Sequence, residues 1–149
     1  MQRRGFTMVE IMLVIVIMSL MFVMAIPRLR EASVKRGVRG SRNTVQGLYS
    51  QARVYAMQQS RSTGLRIRGT NKVLVTGYPR TDGGGGYDTI GVVRDLTKEF
   101  GVTVQSDADS LISIAANGIR RGSTTVTLTF AKDGYTDSLI IAPYGRITK

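Results

Sequence analysis

Cysteine, histidine and tryptophan are all missing from this sequence of 149 residues. Without Cys or His, the usual zinc, haem and iron–sulfur centres have no ligands, and neither a Cys–His pair nor a Ser–His–Asp triad can be assembled. A hydrolase would have to work with carboxylates, Lys or Tyr alone. The missing cysteines do not fix the redox compartment, because an oxidising compartment permits disulfides without requiring them. Acidic residues are also scarce, 10 Asp and Glu against 21 Lys and Arg, for a net charge of +11. At 16.3 kDa the chain has room for one modest core and not for a two-domain cofactor enzyme. The excess of positive charge points to phosphates, of nucleic acid or of lipid headgroups.

The charge is not spread evenly. Residues 28–68 hold Arg28, Arg30, Lys35, Arg36, Arg39, Arg42, Arg53, Arg61, Arg66 and Arg68 against Glu31 alone. The stretches before and after are each close to balance. A basic run of this kind reads first as a solvated helix face lying near a membrane.

From Ile11 to Ile26 the sequence is IMLVIVIMSLMFVMAI, sixteen residues with Ser19 as the one polar position. A spanning helix needs roughly 20 apolar residues. Extending the run back to Phe6 reaches that length but takes in Glu10, and a carboxylate at such depth asks for a partner. No small-residue cleavage site follows at Ala25-Ile26-Pro27-Arg28, so an ordinary cleaved signal peptide is a poor fit. The positive-inside rule alone would put the bulk of the chain in the cytoplasm, since the bases after the run outnumber Arg3 and Arg4 before it.

The string Arg3-Arg4-Gly5-Phe6-Thr7-Met8-Val9-Glu10, followed at once by the apolar run, resolves that conflict. It resembles the N-terminal signal of type IV prepilins and type II secretion pseudopilins: a short basic leader ending in Gly, then Phe, then Glu at the fifth mature position. The resemblance implies that a prepilin peptidase cuts between Gly5 and Phe6 on the cytoplasmic side and methylates the new amino group of Phe6. Residues 1–5 are then a leader, and 6–27 are a retained transmembrane and assembly helix. The physical logic agrees. Gly5 lets a protease approach the backbone closely. Glu10, one turn into the membrane, can pair with the terminal amine of a neighbouring subunit, which makes its charge an assembly register. Pro27 stands where the helix leaves the apolar run, removing one backbone hydrogen bond and allowing a kink or local melting.

Beyond Pro27, Val34, Val38, Ser41, Val45, Leu48, Ala52 and Tyr55 recur with steps of three and four. That spacing predicts a basic amphipathic continuation of the helix over 28–60, with a narrow apolar stripe and most bases off it. Gly37, Gly40 and Gly47 weaken it locally. From about residue 61 the pattern becomes short β-type runs: 65–68, 72–76, 89–93, 102–104, 111–114, 125–130 and 138–141. Asn71, Asn117-Gly118 and Lys132-Asp133-Gly134 mark turns between them. The expected architecture is α+β: a long N-terminal helix packed on a small antiparallel β-sheet domain spanning 61–149.

The glycine-rich string 82–88 lacks the Lys-Ser/Thr of a phosphate-binding loop and reads as a flexible connection. Asp82, Asp88, Asp107 and Asp109 lack the spacing of an EF-hand. No catalytic, cofactor-binding or metal-binding residue is assigned, and no cofactor is expected.

Ile114-Ala115-Ala116-Asn117-Gly118, then 125–128, then Leu139 to Ile147, add a looser resemblance to the group of H-type pseudopilins and FimT/FimU minor pilins. The resemblance implies an inner-membrane subunit with a periplasmic globular domain that helps to nucleate or cap a pseudopilus or pilus. Its implied partners are other pilin or pseudopilin subunits, the prepilin peptidase, the assembly platform and membrane lipid. FimT-like members offer an alternative, DNA binding during natural transformation, through a C-terminal Gly-Arg-x-Arg motif. Here the string is Gly145-Arg146-Ile147-Thr148-Lys149, so Arg146 and Lys149 are the candidate DNA contacts and Thr148 replaces the second Arg. Phosphate contacts tolerate that exchange better than base contacts would. Few bases lie in the globular part, which leaves the structural reading ahead.

Overall fold

In the computed structural model, residues 7–78, 86–107 and 110–148 are described. The chain divides into two compact units, Met1–Lys35 and Arg36–Lys149, taken here one at a time. One helix, α1 (Met8–Gln59), contributes to both.

In the first unit α1 starts at a capped end. Thr7 Oγ1 accepts a hydrogen bond from the Glu10 backbone N–H at 3.2 Å, satisfying one of the donors that a helix start leaves over. The apolar run that follows is exposed throughout, and its most hydrophobic 18-residue window has a mean hydropathy of 2.8. Ser19 donates its hydroxyl to the Ile15 carbonyl at 2.8 Å, so the one polar side chain in the run is satisfied within the helix. Helical structure continues on both sides of Pro27.

In the second unit α1 buries Val38, Ser41, Val45, Tyr49, Ala52 and Ala56. The stripe expected from sequence ran through Leu48 and Tyr55; the buried positions are one residue further on. A pattern with alternating steps of three and four averages 3.5 residues, whereas a straight helix turns every 3.6, so a strict alternation drifts off the buried face after two turns. Ser60 closes α1 in the left-handed region (φ 50°), and the Arg61 N–H reaches back to the Ala56 carbonyl at 3.2 Å.

Eight strands form two four-stranded antiparallel sheets. The first contains β1 (Ser62–Arg68), β2 (Lys72–Tyr78), β3 (Asp88–Asp95) and β5 (Leu111–Ile114), in the order β3-β2-β1-β5. The second contains β4 (Thr103–Ser106), β6 (Val126–Lys132), β7 (Tyr135–Ile141) and β8 (Ile147–Thr148), in the order β4-β6-β7-β8. The chain alternates between sheets from β3 to β6 and then stays in the second sheet through β8. The β6–β7 turn uses Asp133 and Gly134, both at positive φ, as the Lys-Asp-Gly signal requires.

Sequence patterning does not announce the short helix α2 (Leu96–Phe100) between β3 and β4. Asp95 caps it by accepting from the Thr97 and Lys98 N–H groups, and Gly101 ends it at φ 66°. Those two residues are the readable signal for it.

The core joins the buried face of α1 to both sheets through Leu65, Val73, Val75, Ile112, Leu128, Phe130, Leu139 and Ile141, with Leu96 of α2. Each such side chain contributes about 1.5–3 kcal/mol by leaving water. Gly37 and Gly40 lie where α1 meets the end of α2. A Cβ on Gly37 would stand 3.1 Å from the Phe100 carbonyl oxygen, and one on Gly40 would stand 3.0 Å from Phe100 Cε1. These glycines therefore permit a close approach besides weakening the helix.

Candidate functional site

Two regions carry the residues singled out by sequence: the start of α1 and the turn before β8. Gly5 and Phe6 lie outside the described residues. Glu10 lies in the first turn of α1 and is exposed, with its backbone N–H held by Thr7. Its side chain has no ion-pair partner among the described residues. Pro27 lies inside α1, at the end of the exposed apolar run.

The basic stretch proves to be several things. Arg28, Arg30, Arg36, Arg39 and Arg68 are exposed. Lys35 pairs with Glu31, and its ammonium group holds the Glu31 carboxyl below the usual carboxylate range. The others serve the fold of the second unit. Arg42 reaches Asp137 of β7 at 2.7 Å, with the two side chains 11% and 21% exposed. Arg53 donates from Nε to the Gly118 carbonyl at 2.9 Å. Arg61 meets Asp88 at 3.4 Å, and Arg66 lies over the Tyr87 ring, 5.5 Å from its centre. Thus Arg42, Arg53, Arg61 and Arg66, which the charge count left open to phosphate, already have partners in the domain.

At the C-terminus β7 leads through a 3-10 turn (Pro143–Gly145) to Arg146 and β8. Gly145 is buried at φ 88°, and a Cβ there would stand 2.6 Å from the Tyr49 hydroxyl oxygen. Only glycine fits, so this position answers to core packing. Burial pushes the Tyr49 hydroxyl above its ordinary value, opposed by the charges of Arg53 and Arg120. Arg146 is exposed, beside Tyr144, which is 79% exposed at φ 68°. Lys149, the other candidate DNA contact, lies outside the described residues.

The candidate calcium ligands do not converge among the described residues either. Asp88 faces Arg61, and Asp107 accepts the Thr127 N–H at 2.7 Å. Asp82 and Asp109 lie outside the described residues, as does most of the glycine-rich string. Among the described residues no group of three or more acidic, His or Cys side chains is placed to hold a metal ion.

An apolar helix start with one acidic residue in its first turn, leading into a helix packed on antiparallel sheets, is a pilin architecture. Residues 1–26 match the family model described as the prokaryotic N-terminal methylation motif. The N-terminus therefore carries a prepilin-like methylation motif, and the fold is a pilin fold. Among solved structures, the chain is similar to the type IV minor pilin FimU of Pseudomonas aeruginosa strain PAO1 in two crystal forms. In one the TM-score is 0.62 at 17% identity, covering 76% of this chain and 88% of that one. In the other the TM-score is 0.58 at 19% identity, covering 74% and 90%. No curated protein matches the chain.

Proposed function

We propose that this chain is a minor pilin or pseudopilin, a structural subunit and not an enzyme, that helps to nucleate or cap a type IV pilus or type II secretion pseudopilus. The observation that carries this reading is the pairing of a methylation motif with an apolar helix whose side chains are exposed while the rest of the chain folds around its own core. Residues 1–5 act as the leader, cut before Phe6. Residues 6–27 hold the chain in the inner membrane with the globular part in the periplasm. In lipid the apolar surface is satisfied, and association rests on packing and on pairing Glu10 with a neighbour's terminal amine. In a filament outside the bilayer, the same surface must be buried against other subunits.

The test is production in a cell with a prepilin peptidase, followed by mass measurement of the product and recovery of filaments. The wild-type chain loses residues 1–5 and gains one methyl group. Gly5→Ala stays unprocessed, and Glu10→Ala is processed but absent from filaments. Processing of Gly5→Ala to a methylated Phe6 would overturn the assignment.

A second reading, a DNA-binding minor pilin, is favoured by one observation: Arg146 is exposed and has no partner among the described residues. Duplex DNA retarded with a steep salt dependence that Arg146→Ala removes would make that reading the primary one.

A further inference from the structure

Arg120 is the one charged residue among the described residues that is buried, at 7% exposure. Its Nη1 donates to the Thr124 carbonyl oxygen, while its Nε is buried without a partner. Arg42, the other strongly enclosed arginine, has Asp137; Arg120 has no carboxylate within ion-pair distance among the described residues. A guanidinium stays charged at any pH a protein meets. Holding it away from water without a counter-charge is unfavourable, and it is satisfied best by a planar, bidentate anion.

The surroundings say what kind of anion. Arg120 forms part of the wall of a pocket of about 380 Å³, together with Leu111, Ser113, Arg121, Thr124 and Val126. Arg121 is exposed and adds a second positive charge at the rim. Leu111 and Val126 make an apolar flank, which a small hydrated ion would not use. Gly122, at φ 133°, lies against the guanidinium: a Cβ there would stand 3.2 Å from Arg120 Nη2. Leu111 and Ser113 belong to β5, the outer strand of the first sheet, paired on one side with β1. On its other side, the Ser113 carbonyl accepts the Arg121 N–H at 2.9 Å, and the Ala115 N–H donates to Ile119. The two-residue period of a strand puts the Leu111 N–H and carbonyl on that same side, beyond the end of the short 119–121 pairing. Among the described residues the pocket thus combines an open strand edge, an apolar wall and a buried cation with no carboxylate partner.

We propose that this pocket binds a carboxylate carried on an extended peptide. The peptide backbone pairs with the β5 edge at Leu111, and an apolar side chain lies on Leu111 and Val126. A neighbouring Asp or Glu side chain meets the Arg120 guanidinium, with Arg121 adding attraction at the mouth.

The full-length protein in detergent micelles is titrated with acetyl-Val-Glu-Val-amide, its Val-Gln-Val counterpart, acetate and inorganic phosphate. The Arg120 side-chain Nε–H resonance and amide hydrogen exchange at Leu111 are followed by NMR. The glutamate peptide shifts the Arg120 resonance saturably and slows exchange at Leu111, and the glutamine peptide binds at least about tenfold more weakly. Arg121→Gln weakens the glutamate peptide about threefold, as expected for a rim charge. Arg120→Met abolishes the preference for glutamate; if that variant does not fold, Arg121→Gln and the peptide comparison decide. Equal binding of the two peptides, an equal Arg120 shift from acetate or phosphate at the same concentration, or unchanged exchange at Leu111 would each overturn the proposal.

Discussion

Three glycines in the second part of α1 provide an internal control on how the domain is packed. In an exposed helix interior, Gly→Ala stabilises by about 1 kcal/mol, because alanine loses less backbone freedom on folding. Gly47 meets that condition: a Cβ there finds nothing within 4 Å. Gly37 does not. Its Cβ would stand 3.1 Å from the Phe100 carbonyl oxygen and 3.4 Å from Lys132 Nζ, which donates to that same oxygen at 2.6 Å. Neither backbone can move without disturbing the other, and overpacking of this kind costs about 1–3 kcal/mol. Gly37→Ala is therefore neutral to about 2 kcal/mol destabilising once the helix gain of about 1 kcal/mol is set against it. Gly40→Ala should fall between, since its Cβ meets the Phe100 ring at 3.0 and 3.3 Å and that ring is only half-buried. A fragment beginning at Arg30 keeps every core residue, because the core starts at Val38. Urea unfolding of this fragment at 25 °C, followed by circular dichroism, should rank the variants Gly47→Ala, Gly40→Ala, Gly37→Ala from most to least stable. The extremes should differ by about 1–3 kcal/mol, or about 1 M in midpoint. Equal stabilisation by all three changes would refute the close approach of α2 to α1.

The ion pair between Arg42 and Asp137 should be costly to break from one side. Arg42→Met is expected to lower unfolding free energy by about 2–3 kcal/mol, below the range for fully buried pairs because Asp137 retains some exposure; a double-mutant cycle with Asp137→Asn measures the coupling. At the C-terminal turn, Gly145→Ala should destabilise by about 2 kcal/mol or more through positive φ and the Tyr49 contact, whereas Arg146→Ala should change stability by less than about 0.5 kcal/mol. A reversed order in thermal unfolding would contradict the packing role of Gly145. Tyr49 sets an alkaline limit. Its folded pKa is raised, so its contribution is fully present below the unfolded value of 10.0 and is lost as pH rises through the folded value. Unfolding free energy should fall above pH 10, and Tyr49→Phe should flatten that fall. Because the hydroxyl is buried without a partner, the same change should be neutral or stabilising by about 1 kcal/mol at neutral pH.

The elements legible in the sequence were those with strong periodicity or turn chemistry. Seven of the strands lie where β-branched runs stood between Gly, Asn and Asp, and α1 ends at Gln59, one residue before the expected end at 60. The two-residue strand β8 has no pattern to read; it exists because Gly145 turns the chain back onto Ile140 and Ile141. The division into two sheets was likewise invisible, since alternation along a strand specifies a face and not a neighbour. At the candidate site the motif positions could be read directly, because they depend on spacing along the chain. What could not be read was which bases were already taken. Arg42 and Asp137 are 95 residues apart, and no local signal ties them. Nothing in the sequence separates Arg120 from its neighbour Arg121; the strand-like bridge to Ile114 brings Arg120 inside and leaves Arg121 out.

The exposed run from Ile11 to Ile26 has a kinetic consequence. Every large apolar side chain in it is at least 49% exposed, and each would favour leaving water by about 1.5–3 kcal/mol. Summed over the run, the free monomer in water lies tens of kcal/mol above any state in which these side chains are covered. Escape into bulk water is therefore too rare to serve as a step in any exchange. The chain can change surroundings only by direct hand-over, with each turn of α1 gaining its new cover before the old one is withdrawn.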